Sequence, residues 1–262
     1  MSSIFSVARL ELRRLLVRPL AWVLAALSLA QLAWRFVLLL GSFLDNQVKL
    51  AGMPGGPGYT DLVGVPLLGS TLTMGMLPFG LTELALLIVP LITMSTLAGD
   101  RANGTLPLLS ATGTSPSAIV LGKYLAVLLW LMAWLALTVA MPLSLAHGTH
   151  LDWGKFGAAV LGLALTLAAL GAIGIACSSF ASLPAVAATA SLMLGLALFT
   201  ANLAAQKAGI GNGFWNWLSL STHLEALLRG LVSSADVIWF LLVIALALAL
   251  AVRRLSTDKE RG

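Results

Sequence analysis

An all-α, polytopic membrane protein is the fold class this sequence predicts, on three observations. Of 262 residues, 59% are hydrophobic and only 10% charged, against roughly 45–50% and about 25% in soluble domains. Mean hydropathy is +0.99. The apolar residues also fall into six runs long enough to cross a bilayer, whose ~30 Å core needs ~20 residues at 1.5 Å each. A soluble globule of this size has no interior large enough for so much apolar surface. Disorder needs the opposite composition, low hydrophobicity and high charge.

The elements follow in order. Over residues 1–19, Phe5, Ala8, Leu12, Leu15 and Leu16 share one helical face, and Arg9 and Arg13 lie four apart on another, with Arg14 and Arg18 nearby. This pattern predicts a basic amphipathic helix in the membrane interface, its arginines toward anionic headgroups. The first span runs from about Leu20 to Leu44. Ser28-Leu29-Ala30 resembles a cleavage site, but the apolar run continues past it, so the span is expected to be retained. The others are about Phe79 to Leu97, Ala118 to Leu145, Phe156 to Phe180, Leu183 to Ala205 and Val237 to Val252. Together the six make one domain, residues 20–253, followed by a tail, 254–262. The uncharged stretch Leu62 to Met76 is interrupted by Gly64, Pro66 and Gly69, and is expected as an external loop or shallow re-entrant segment rather than a seventh crossing.

Charge placement sets the expected orientation. With six spans both termini share a side, and that side holds ten Lys and Arg, from Arg9 to Arg261, against four opposite, Lys49, Lys155, Lys207 and Arg229. The positive-inside rule puts both termini in the cytoplasm. The net charge of +5 is thus a topology signal, not one for nucleic acid. Cys177 is the single cysteine, so no internal disulfide forms, and it reads as a small buried hydrophobe. His147 and His150 with Asp152 lack a further ligand, and no metal site is expected.

Arg35 and Glu83 are the charges placed well inside spans. Arg35 lies roughly 22 Å and Glu83 roughly 21 Å from the cytoplasmic edge at 1.5 Å per residue. Consecutive spans are usually neighbours, which predicts that the two pair. Gln31, Asn202 and Gln206 are expected to hydrogen-bond between helices. The small residues of span four, Ala158/Gly162, Ala172/Ala176 and Gly174/Ser178, let backbones approach closely.

Two loops are not bland. Between spans two and three, Leu106, Leu108 and Leu109 stand outside the membrane beside Asp100, Arg101, Gly104 and Thr105. Apolar residues rimmed by polar ones mark a partner surface. Before span six, Thr222 and Glu225 form a capping-box pattern, which predicts an amphipathic or re-entrant external helix from about His223 to Gly230 that includes Arg229. Ser233 and Asp236 repeat that pattern, and Trp215 and Trp217 serve as interface anchors.

The run Pro90-Leu91-Ile92-Thr93-Met94, then Ala98-Gly99-Asp100-Arg101-Ala102-Asn103-Gly104-Thr105-Leu106, Ser115-Pro116 and Leu121-Gly122-Lys123-Tyr124 resembles ABC-2 type transporter permeases. Within them it is most similar to the gliding-motility type, with the nitrous-oxide-reductase-maturation permease more distant. Leu218-Ser219-Leu220-Ser221-Thr222-His223 with Arg229-Gly230 and Asp236 is similar too. The chain departs at Gly99, Pro107 and Ser95, where the family usually has an acidic residue, Glu and Arg.

The resemblance implies a permease half in the bacterial inner membrane, paired with an identical or related second permease subunit. It implies a dimer of ABC ATPase subunits docking on the Asp100–Pro116 loop, and external helices that narrow an exit, where an auxiliary subunit could sit. The chain lacks the Gly-x-x-x-x-Gly-Lys-Ser/Thr motif, since Lys123 is followed by Tyr124 and Ser117 replaces the first Gly. ATP and Mg are therefore expected on the partner, and the chain binds no cofactor of its own and is not itself an enzyme. A non-transporting scaffold is the alternative. An intramembrane enzyme is disfavoured because Glu83 is the only carboxylate within the predicted spans and every His lies in a loop.

Overall fold

The computed structural model describes residues 3–51, 57–69, 79–105, 114–146, 148–209 and 213–261, and no strand occurs among them. The helices are α1 (Ser3–Val17), α2 (Pro19–Ala51), a π turn (Thr60–Gly64) leading into α3 (Val65–Leu68), α4 (Leu81–Thr93), α5 (Ala98–Ala102), α6 (Pro116–Leu143), α7 (Trp153–Phe180), α8 (Pro184–Lys207), α9 (Gly213–Leu218), α10 (Leu220–Leu228) and α11 (Ser234–Arg261). Six stretches are long and apolar enough to cross a membrane: Pro19–Gln47, Leu81–Ala102, Pro116–Leu143, Trp153–Phe180, Pro184–Lys207 and Ser234–Asp258. The protein is an all-α, multi-pass membrane protein. The last of these helices runs on without interruption to Arg261, so the segment expected as a tail is helical and continuous with the sixth span.

Proline and short polar side chains set several helix starts. Pro19 begins α2 and Pro184 begins α8, where a missing N–H costs nothing. Ser115 caps α6 by accepting from Ala118 N, and Asp152 caps α7 by accepting from Lys155 N.

Helix α7 is the hub, packed against α4, α6, α8, α10 and α11. It buries Leu163, Leu167, Ala169, Leu170 and Ile175 among many others, the pattern of a helix apolar all round. Its small residues admit its neighbours. A Cβ on Gly162 would stand 2.8 Å from Leu227 Cβ of α10, and one on Gly174 only 2.1 Å from Thr93 Oγ1 of α4.

Helix α1 lies along α6. Gly122 makes this possible, because a Cβ there would meet Val7 Cβ at 2.7 Å and the Ile4 carbonyl oxygen at 2.9 Å. The face turned inward carries Ala8, Leu15 and the carboxylate Glu11, while Phe5, Leu10, Leu16 and Val17 point outward with Arg9 and Arg13. The expected apolar face is thus split, since α1 is held by α6 on one side and keeps an apolar and basic surface on the other.

The segment from Thr60 to Leu68 is too short to cross. It is packed into the bundle with Val63, Leu67 and Leu68 buried. Tyr59 Oη donates to Pro142 O at 3.1 Å, and Thr60 Oγ1 accepts from Asp152 N at 2.8 Å. The rest of the expected loop, residues 70–76, lies outside the described residues.

The contact between α4 and α7 generates a prediction. Gly174→Ala is expected to destabilise the protein by ~1–3 kcal/mol, the usual cost of overpacking, and Thr93→Ala in the same chain to recover part of it. Thermal denaturation in detergent micelles measures both.

Candidate functional site

The site is built around a break between α4 and α5 on the face that carries both chain ends, the terminal face. Thr93 Oγ1 folds back on Val89 O at 2.9 Å, and Thr96 Oγ1 donates to Thr93 O at 2.7 Å. The freed backbone groups are met by one hydroxyl of α7. Ser178 Oγ accepts from Leu97 N at 3.1 Å and Ala98 N at 3.0 Å, and donates to Met94 O at 3.1 Å. A buried turn needs such partners, because an unmet amide there costs ~1–3 kcal/mol. The expected packing role of Gly174 and Ser178 is therefore joined by a hydrogen-bonding one.

After the break, α5 carries Asp100 into a cluster of charges, three of them buried. Lys123 of α6 is 1% exposed and Glu11 of α1 is 2% exposed. Lys123 Nζ donates to Asp100 Oδ2 at 2.7 Å and to Glu11 Oε2 at 3.1 Å. Arg14 Nη1 reaches Asp100 Oδ1 at 3.3 Å and Glu11 Oε2 at 3.5 Å. Two carboxylates meet two cations, so the cluster is neutral. Asp100 also accepts from Thr105, whose Oγ1 lies 3.0 Å from Oδ1 and whose N lies 2.9 Å from the Asp100 carbonyl. Gly104 permits this return, with φ +67°, a region that favours glycine.

Arg101, next along, faces away from the cluster. Its guanidinium donates to Ser179 O at 2.9 Å and Ala181 O at 2.6 Å, which ends α7, and to Asp258 Oδ2 of α11 at 2.5 Å. Arg254 supports Asp258 one turn back, at 3.4 Å. Arg18 hydrogen-bonds Ser95 Oγ within the break.

Of the residues expected to act together in the loop, Asp100, Arg101, Gly104 and Thr105 form one hydrogen-bonded unit. Leu106, Leu108 and Leu109 lie outside the described residues. Glu11 and Lys123 were not foreseen as members. Gly122-Lys123 stood in the sequence as a motif, and Glu11 as the only acidic residue among the arginines of the first helix. Among the described residues, each charged group of the cluster, and Arg101 with it, is held by an opposite charge. Such an arrangement suits a mechanical joint, in which α1, α5, α6, α7 and α11 are all hydrogen-bonded to three consecutive turns of chain.

On the opposite face, the helices expected to be external depart from the expected pattern. The stretch from Gly213 is two helices, α9 and α10, and α10 begins at Leu220 rather than His223. Ser219 takes the extended backbone of an N-cap, with no side-chain cap bond. The Thr222 and Glu225 side chains are engaged elsewhere: Thr222 Oγ1 accepts from Asn202 Nδ2 of α8 at 3.2 Å, and Glu225 pairs with Arg229 at 3.5 Å. Gly230 follows α10 with φ +87°, as a helix-ending glycine does.

His223 is buried and stacks on Trp239 with ring centroids 4.6 Å apart. Its Nδ1 lies 2.6 Å from Asp236 Oδ1 and its Nε2 2.9 Å from Trp217 O. Asp236 thus serves His223, and α9, α10 and α11 are tied through one imidazole.

Arg35, 1% exposed, donates from Nη2 to Pro66 O at 2.6 Å, with the Glu83 carboxylate near enough to act on its charge. Glu83 Oε2 accepts from Gly80 N at 2.8 Å, closing the first turn of α4.

Residues 68–253 match the model of a family described as ABC-2 family transporter protein. No curated protein matches the chain.

The terminal-face cluster generates a prediction. Lys123→Met leaves Glu11 and Asp100 buried against one half-exposed arginine, and is expected to destabilise by ~3–5 kcal/mol, the cost of breaking a buried pair from one side. Adding Glu11→Gln is expected to recover part of the loss. Thermal denaturation of the purified variants reads both, and a Lys123→Met protein as stable as the parent would refute the cluster.

Proposed function

The chain belongs to the ABC-2 transporter family, and from that premise we propose that it is one permease half of an ATP-driven transporter of the gliding-motility type. It is a membrane transport component rather than a catalytic subunit. In this reading it pairs with a second, identical or related permease, and a dimer of ABC ATPase subunits carries ATP and Mg. The ATPases dock on the loop that begins at Asp100, in the cytoplasm of a bacterial cell, with both chain termini on that side of the inner membrane. The work done is export, or mechanical transmission to an auxiliary subunit outside.

The single observation that carries this reading is the junction at Asp100–Thr105. A loop needed only to join two spans has no reason to place a carboxylate 7% exposed, between Lys123 and Arg14, and an arginine against the end of α11. A push on the loop is felt at once by α1 through Glu11 and Arg14, by α6 through Lys123, and by α11 through Asp258. These contacts distribute a local displacement over the bundle, as a coupled transition between discrete packings requires. In this reading Arg35 and Glu83, whose charge acts on Arg35, give α2 and α4 a fixed point about which to tilt.

Two sets of substitutions separate docking from transmission. The tagged chain is purified from its native membranes, the bound ATPase subunit is quantified, and ATP hydrolysis is measured in proteoliposomes. Leu106→Asp with Leu108→Asp is expected to lose the ATPase by about tenfold or more, a change of ~1.4 kcal/mol or above. Arg101→Gln is expected to retain it but to uncouple its hydrolysis from transport. Full-strength binding by the Leu106/Leu108 variant would end the docking assignment.

A further inference from the structure

We propose that a cavity on the face opposite the Asp100 cluster binds a zwitterionic amphiphile, a lipid-like molecule whose head carries one positive and one negative group. The inference concerns binding alone and goes beyond the ATPase partnership above. The cavity measures about 710 Å³ and lies between α2, the Thr60–Leu68 segment, α8 and α10. That volume falls in the range of ~300–1,000 Å³ typical of small-molecule sites.

The lining divides by chemistry. Val65, Phe199, Leu203, Leu224 and Leu228 supply an apolar wall. This wall disfavours a sugar or hydrated ion, whose polar groups would go unmet. Leu203 is 48% exposed, so the wall opens on the membrane-facing side of α8. The rim is charged: Lys155 pairs with Asp61, and Arg229 with Glu225. The two pairs adjoin, since a Cβ on Gly230 would stand 3.2 Å from Lys155 Cγ.

Burial pushes the Asp61 carboxyl up, but hydrogen bonds from Lys155 and from Gly58 N–H, with the lysine charge, outweigh it and hold Asp61 below the ordinary carboxylate range. Asp61 therefore stays ionised and both signs persist at the rim. Arg35 adds a third cation, but Glu83 acts on it. The lining itself holds three cations and two carboxylates, and Glu83, which is outside the lining but acts on Arg35, completes the balance.

Balance selects the head group. A ligand with net charge would leave one charge uncompensated beside an apolar wall, which is costly. A head with both signs presents its anion to Lys155 and Arg229 and its cation to Asp61 and Glu225, while its chain lies on Phe199 and Leu203. The exposed Arg229–Glu225 pair opens readily to receive it, because a surface pair is worth only ~0–1 kcal/mol.

The probe is a lysophosphatidylethanolamine with a photoactivatable diazirine in its acyl chain, compared with lysophosphatidylglycerol and monoacylglycerol bearing the same chain. The purified full-length protein in detergent is irradiated with each, and labelled peptides are identified. The expected result is labelling of the peptides around Phe199–Leu203 and Leu224–Leu228, about fivefold stronger with the zwitterion than with either control. Leu203→Trp, which fills the cavity from a half-exposed position, is expected to abolish labelling without lowering the melting temperature. Lys155→Gln with Arg229→Gln is expected to reduce the zwitterion to the level of the neutral probe.

A zwitterionic lipid that survives purification, seen by native mass spectrometry, marks a resident membrane lipid. Labelling by added probe alone marks an exchangeable ligand. Both support the site. Equal labelling by the three probes, or undiminished labelling in the Leu203→Trp protein, overturns it. If that variant unfolds, failure of excess unlabelled lysophosphatidylethanolamine to compete in the parent overturns it instead.

Discussion

A buried ammonium must be answered by buried carboxylates, and the terminal face of this protein is arranged around that necessity. Lys123 sits where water does not reach, so Glu11 and Asp100 have to come to it. To bring Glu11, α1 must lie flat on α6, which needs Gly122 bare of a side chain. To bring Asp100, α4 must stop short and restart as α5, which needs Ser178 to satisfy the broken backbone. Isolated, each of these features would be a local cost. Together they are one solution to burying an ammonium and two carboxylates, with the half-exposed Arg14 bringing the net charge to zero.

The six crossings were legible because the bilayer imposes a length that composition alone reports. Their ends were less so. The sixth helix reaches Arg261, and of the charged residues that read as a tail, Asp258 pairs with Arg254 on the same helix and with Arg101 of α5. The cluster was half visible. Asp100, Arg101, Gly104 and Thr105 are close in sequence and in space. Glu11 and Lys123 are 112 positions apart, and no local period connects them. Lys123 looked like an ordinary topology-setting cation, since its burial depends on α1 lying over it.

The helices expected to be external show the same limit from the other direction. Thr222 and Glu225 have the spacing of a capping box, yet the helix begins at Leu220, and the threonine hydroxyl accepts from Asn202 of α8 instead. A local pattern was outvoted by a neighbour that only the fold brings near. The two faces of the molecule also differ in kind. Charge on the terminal face is buried and cross-linked between helices. On the opposite face the rim pairs are partly or largely exposed, and an open cavity lies between them.

Helix α11 meets both faces without interruption. Near its start Asp236 is hydrogen-bonded to His223, and near its end Asp258 holds Arg101. The two carboxylates are separated by roughly 33 Å of continuous helix at 1.5 Å per residue. A rod gripped at each tip behaves as a lever. The grip on the terminal face and the grip on the opposite face therefore share a single piece of secondary structure.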